Sequence, residues 1–268
     1  MRHLTNSFFT YTLGQSLYVP LTHRCNSLTL PETRGPNFVL PPQVVASLLR
    51  VRDAETINNK KWTSWCTYLD GVDTYQKLPP PEYNRDSEDY DTHDTEHDDR
   101  GDDDNHYQVQ VNDLMEEILQ QQKHSNMESI VFSGEGEPTI RFDDLLELAR
   151  KLRDEPTTSS LPLRLTTNGL EQSKDSAQKL YANGITQVSI ALMTAESNQY
   201  DEIMKPSCVG GHSQVHSQVI SFIEQAIDTG LDVEITAVDR DQVDKQKLED
   251  LVQSLQVSKD VRWRSFFA

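Results

Sequence analysis

Four times between Ser129 and Leu255 a short apolar run ends in a turn and gives way to apolar residues at helical spacing. Ser129 to Phe132 leads to Leu145, Leu148, Ala149 and Leu152. Leu163 to Thr166 leads to Ala177, Leu180 and Tyr181. Thr186 to Leu192 leads to Val219, Phe222, Ile223 and Ala226, and Leu231 to Val238 to Leu248, Leu251, Val252 and Leu255. Runs of this length are strands, and the i, i+3, i+4 recurrences are helices with one buried face. Gly184 and Gly230 close two of the helices. With Ser16 to Leu21 before them and Val261 to Phe267 after, the strands number six. A crossover helix returns the chain in the same direction, so the sheet is mostly parallel. Six βα units are too few for a closed eight-stranded barrel, which leaves an open, partial barrel or a doubly wound sheet.

The pattern breaks once. Pro41 and Pro42 open a helix marked by Val44, Val45, Leu48 and Leu49, and periodicity is then lost from 53 to 107. Between Glu82 and Asn105 stand 12 acidic residues and 2 arginines, a net of −10 out of the chain's −18. Such a tract has too few aliphatic residues to offset the entropy of ordering and predicts a disordered, low-complexity insertion (82–105), open to a protein partner. His93, His97 and His106 read as solvated. Trp62, Trp65, Tyr68 and Tyr75 read as core or partner contact rather than as a base-stacking platform, since no basic groove accompanies them. The domain expected is therefore 11–268, interrupted by 53–107, with residues 1–10 as a tail. The acidic balance argues against nucleic acid, and no apolar run reaches the roughly 18 residues of a membrane span. A soluble, intracellular and by default cytoplasmic protein is expected, with an organelle left open. Cys25, Cys66 and Cys208 form no close-spaced pair.

Chemistry is suggested first by Ser133-Gly-Glu-Gly-Glu-Pro138. An apolar strand stops at alternating Gly and Glu, where glycine permits backbone angles closed to other residues and Pro138 fixes the exit. In a parallel α/β sheet such a loop lies at the carboxyl edge, where ligands bind. Glu135 and Glu137 would repel phosphate, so the loop suits a cationic group such as a ligand ammonium.

These segments in order resemble the radical SAM superfamily, most nearly its small TatD-associated branch. The matching residues are Tyr18-Val-Pro-Leu-Thr-His-Arg-Cys25, Val131-Phe-Ser-Gly-Glu-Gly-Glu-Pro-Thr139, Arg164-Leu-Thr-Thr-Asn-Gly169 and Val188-Ser-Ile-Ala-Leu192, with Tyr200 and Pro206 downstream. The resemblance implies a partial (βα)6 TIM-type barrel with a 4Fe-4S cluster on the loop after the first strand. S-adenosylmethionine would bind the cluster's one unligated iron through its amine and carboxylate. The Gly134, Glu135, Gly136, Glu137, Pro138 loop would contact the amine, with Thr167, Asn168 and Ser189 flanking sugar and carboxylate.

One departure concerns the cluster itself. The family pattern Cys-x3-Cys-x2-Cys is met by Cys25 alone, with Thr29 and Glu32 at the other two positions. Hydroxyl and carboxylate are poor substitutes for thiolates on such a cluster. Cys66 and Cys208 would complete a set of three only if their loops reached the rim that carries Cys25. The sequence thus leaves two functions: an enzyme that binds S-adenosylmethionine and performs iron-sulfur radical chemistry on an unknown substrate, or a catalytically silent relative that keeps the fold as a ligand- or partner-binding module.

Overall fold

The structure, a computed structural model, describes residues 9–56, 109–170, 173–206 and 214–268. The expected insertion lies almost wholly outside those residues, and its histidines and aromatic residues, Cys66 and Cys208 lie outside them. The chain runs β1 (Tyr11–Leu13), β2 (Ser16–Val19), α1 (Leu30–Thr33), α2 (Pro42–Thr56), α3 (Val111–His124), β3 (Ser129–Phe132) and α4 (Phe142–Asp154). It continues through β4 (Leu163–Thr167), α5 (Ser176–Ala182), β5 (Ile185–Ala191), α6 (Ser197–Met204), α7 (Val215–Thr229), β6 (Asp232–Asp239), α8 (Lys245–Ser254) and β7 (Arg262–Ser265). A short 3-10 turn, Pro138–Arg141, links the Gly-Glu loop to α4.

Among the described residues one sheet holds seven strands in the order of the sequence, β1 to β7, and every pairing from β2 onward is parallel. That order decides between the two architectures. A doubly wound sheet reverses its strand order at a switch point, whereas here each strand lies beside its predecessor. Right-handed crossovers without a reversal put the helices on one face, and the sheet curls around the other into a mostly parallel half-barrel of the TIM type. The strand beyond the expected six is β1, which forms an antiparallel hairpin with β2 through Tyr11↔Tyr18.

Alternation along the strands makes the two faces chemically different. The outer face presents Leu17, Val19, Ile130, Phe132, Leu165, Val188, Ile190 and Ile235, none more than 1% exposed, to the buried stripes of α3, α4, α7 and α8. Each such side chain contributes about 1.5–3 kcal/mol to stability by leaving water. The inner face carries Tyr18, Arg164, Thr166, Ser189, Glu234 and Thr236, with Arg262 and Arg264 on the last strand. Tyr181 was expected on the buried face of its helix and is instead 49% exposed, because a seven-residue helix presents only Ser176, Ala177 and Leu180 inward.

Candidate functional site

Two loops meet at the carboxyl edge of the sheet. The one after β3 lies against the one after β2. A Cβ on Gly136 would stand 2.4 Å from the Arg24 carbonyl oxygen and 2.6 Å from the His23 carbonyl carbon, and one on Gly134 would stand 2.5 Å from the Pro20 Cβ. Neither glycine has positive φ. The expectation that they supply unusual backbone angles is thus corrected: close approach of backbone excludes a side chain at both positions. The Glu137 N–H donates to the Arg24 carbonyl at 2.8 Å, which joins the loops. His23 is itself anchored, its backbone N–H and ring Nδ1 both bonded to the buried Glu55 carboxylate.

Glu137 ties this edge to β4. Its Oε1 accepts from the Thr139 N–H at 3.1 Å and from the Thr139 and Thr167 hydroxyls at 2.8 Å each, and its Oε2 accepts from the Asn168 N–H at 2.7 Å. Burial raises its pKa against the lowering effect of those four bonds. Asn168 reaches back to the first loop, where its amide donates to Asn26 Oδ1 at 2.6 Å and Ser27 Oγ at 3.0 Å, with Cys25 Sγ at 3.9 Å. Glu135, the other carboxylate of the loop, is also buried, at 2% exposure. Glu137, Pro138, Thr167, Asn168 and Cys25 thus form one assembly on the same rim.

Thr29 and Glu32, the positions where the resemblance implies cluster thiolates, are occupied with each other. The Thr29 N–H and hydroxyl donate to Glu32 Oε2 at 2.9 and 2.7 Å, and the Glu32 N–H donates back to Thr29 Oγ1 at 3.4 Å. That reciprocal arrangement is a capping box for α1, with Pro31 inside its first turn. Cys25 is only partly exposed. Loss of solvation of the thiolate by burial, and then the charge of Glu137, push its thiol up to about 12 from an ordinary 9.0. A cysteine ligates a metal as its thiolate, and among the described residues no group of three or more His, Cys, Asp and Glu could hold a metal. The donor set at Cys25, Thr29 and Glu32 does not fit an iron-sulfur cluster.

Inside the half-barrel lies a cavity of about 240 Å³, bounded toward the rim by Ser133, Gly134 and Met193 and along the strands by Thr166, Ser189 and Thr236. Of the residues singled out from sequence, Gly134 and Ser189 line it, and Ser189 donates its hydroxyl to Glu234 at 3.0 Å. Thr167 lies on the opposite face of β4 from Thr166, since Leu163, Leu165 and Thr167 are buried and Arg164 and Thr166 are only partly so. Sequence reasoning missed Arg34, Arg164, Arg262, Arg264 and Glu234, which line the same space. The available signal was the alternation Leu163-Arg164-Leu165 and Arg262-Trp263-Arg264, a period of two that puts arginine on one face of each strand.

No protein-family model and no curated protein matches the chain. Solved structures do. The radical S-adenosylmethionine methyltransferase TsrM from Kitasatospora setae, with cobalamin and a 4Fe-4S cluster bound, aligns at TM-score 0.46 and 12% identity over 59% of this chain and 31% of its own. Streptococcus suis SuiB bound to S-adenosylmethionine aligns at TM-score 0.46 and 21% identity, covering 59% of this chain and 34% of that one. HydG, a maturase of the FeFe-hydrogenase, gives TM-score 0.46 and 10% identity over 61% and 37%. This chain thus spans about a third of the length of those proteins. At these scores and identities the likenesses carry no argument about what it binds. No helix among the described residues is long and apolar enough to cross a membrane.

Proposed function

We propose that the chain is a radical SAM-type half-barrel, of the TatD-associated branch, that binds S-adenosylmethionine at its carboxyl rim as a binding module, without radical chemistry at Cys25. One observation carries this reading. The pair Thr29 and Glu32 forms a helix cap where the resemblance implies cluster ligands, while the Gly-Glu loop, its seat on Arg24 and its link to Thr167 and Asn168 form one hydrogen-bonded assembly around the buried Glu137. The buried carboxylates Glu135 and Glu137 give the rim a negative potential that favours a ligand carrying an ammonium and a sulfonium. The carbonyls of Ser133 and Gly134 would accept from the amine, and the Thr166 and Ser189 hydroxyls would meet sugar oxygens. A protein partner for residues 82–105 belongs to the same proposal, drawn from their charge alone.

Calorimetric titration of iron-free protein with S-adenosylmethionine tests the reading. The expected result is saturable binding at one site per chain that weakens in Gly134→Val, whose side chain would enter the seat on Pro20. Absence of saturable heat, with the protein folded by circular dichroism, refutes it.

A further inference from the structure

We infer that the interior of the half-barrel is an anion site whose charge matches a phosphate-bearing small molecule. The chain as a whole is strongly acidic, at −18, yet the cavity is lined by four arginines, Arg34, Arg164, Arg262 and Arg264, against the one carboxylate of Glu234. They converge from three places: the loop after α1, the fourth strand and the last strand. The sheet register sets Thr166 beside Ser189 and Ser189 beside Glu234, and it sets Thr236 beside Arg262 and Val238 beside Arg264.

Glu234 does not neutralise the group. Its Oε2 already accepts the Ser189 hydroxyl at 3.0 Å and stands 3.4 Å from Arg262 Nη1. Arg34 is held in place, its Nε donating to the Ser265 carbonyl at 2.7 Å and its guanidinium lying 4.6 and 5.3 Å from the ring centres of Phe38 and Phe267. The guanidinium groups of Arg164 and Arg264 make no ion pair or hydrogen bond with any described residue. Arg264 has its pKa lowered by burial and then by repulsion from Arg262 and Arg34, so these cations share one confined space. Confinement of like charges with too few counter-ions is unfavourable. An anion in the cavity relieves it, and the planar guanidinium fork suits oxyanions through paired N–H donors.

The excess of cations selects phosphate over a single carboxylate. Four arginines against the one carboxylate of Glu234 leave an excess of +3 in the cavity, which a phosphate monoester, at about −1.5 to −2 at neutral pH and with three strong acceptor oxygens, offsets more fully than one carboxylate does. The cavity, about 240 Å³, is far larger than the roughly 10–15 Å³ that one water needs, so it has room for such a group with part of a small molecule attached. This inference goes beyond the preceding proposal and does not require S-adenosylmethionine to bind.

Full-length protein titrated with inorganic pyrophosphate, and separately with malonate, tests it. Pyrophosphate should bind once per chain, more weakly as salt is raised. Binding should fall about tenfold in each of Arg164→Gln and Arg264→Gln, and should tighten several-fold, roughly, in Glu234→Gln, a gain that misfolding cannot produce. Malonate should bind about tenfold more weakly than pyrophosphate. No saturable pyrophosphate binding, or binding unchanged in both arginine variants, overturns the site. Malonate binding as tightly overturns the phosphate assignment. S-adenosylmethionine titrated into the same proteins keeps the two readings apart: its failure beside intact pyrophosphate binding sinks only the rim proposal, and the converse sinks only this one.

Discussion

Cys25 should be chemically quiet in the folded protein, and Glu137 should be part of the reason. Its thiol is pushed from an ordinary 9.0 up to about 12, first by burial and then by the Glu137 charge. At pH 8 that reduces the thiolate fraction from about a tenth to about one in ten thousand. Because the thiolate is the reacting species, alkylation by iodoacetamide should run roughly a thousandfold slower in the native than in the urea-unfolded chain. Glu137→Gln removes the like charge while keeping the shape. Burial is the larger cause, so the variant should recover only part of the loss, about tenfold in rate at pH 8. Peptide mapping by mass spectrometry reads Cys25 separately from Cys66 and Cys208. Rates are followed from pH 7 to pH 10, since a shifted pKa moves the rate profile along the pH axis, whereas local opening raises the rate at every pH alike. Native Cys25 labelled within about threefold of the unfolded rate, or a Glu137→Gln variant labelled more slowly than wild type, would refute the reasoning.

Three further outcomes follow from particular contacts. Thr29→Ala removes both hydroxyl bonds of the capping box and should cost about 1 kcal/mol, within a range of roughly 0.5–2 kcal/mol, in urea denaturation, with Thr29→Ser recovering most of it. Gly136→Ala sets a methyl group against the Arg24 and His23 backbone and should cost about 1–3 kcal/mol in the same assay. The Glu55 carboxylate is pushed upward by its burial but held below its ordinary value by hydrogen bonds from the His23 ring and backbone. A carboxylate depressed in the folded state contributes stability above its unfolded pKa, and that contribution is lost as pH falls through the folded value. Stability should therefore decline below about pH 4.5, and the decline should be shallower in Glu55→Gln when midpoints are compared across that range.

The fold was legible where periodicity was strong. All six strands expected from apolar runs are present, and the helices after β3, β4 and β6 bury Leu145, Leu148, Leu152, Leu180 and Leu248, whereas Leu251 is only partly buried and Leu255 falls just past the helix end. Strand β1 was missed because three residues, Tyr11 to Leu13, are too few to show alternation. The start of α3 carries no cap signal: the chain turns helical at Val111 behind Gln110, which makes no side-chain cap bond, so tertiary packing of Leu114 and Ile118 sets that boundary. The choice between half-barrel and doubly wound sheet needed the strand order, which depends on contacts distant in sequence.

The rim was only partly legible. The Gly-Glu loop and the Thr-Asn-Gly turn were singled out one by one, but their union through Glu137 joins residues thirty positions apart. Thr29 and Glu32 were read as missing ligands, although Thr-Leu-Pro-Glu is itself a helix-start signature. The arginines of the lumen were not singled out because Arg34 stands in a loop and Arg164, Arg262 and Arg264 on two strands far apart in sequence, and only the curl of the sheet gathers them.

Anaerobic reconstitution with iron and sulfide, followed by metal analysis, addresses the central claim most directly, since it asks whether this rim can hold a cluster at all. Wild-type protein should retain no more iron than a Cys25→Ala, Cys66→Ala, Cys208→Ala variant treated alike. About four irons per chain above that control, with the visible absorbance of thiolate-bound iron, would contradict the account.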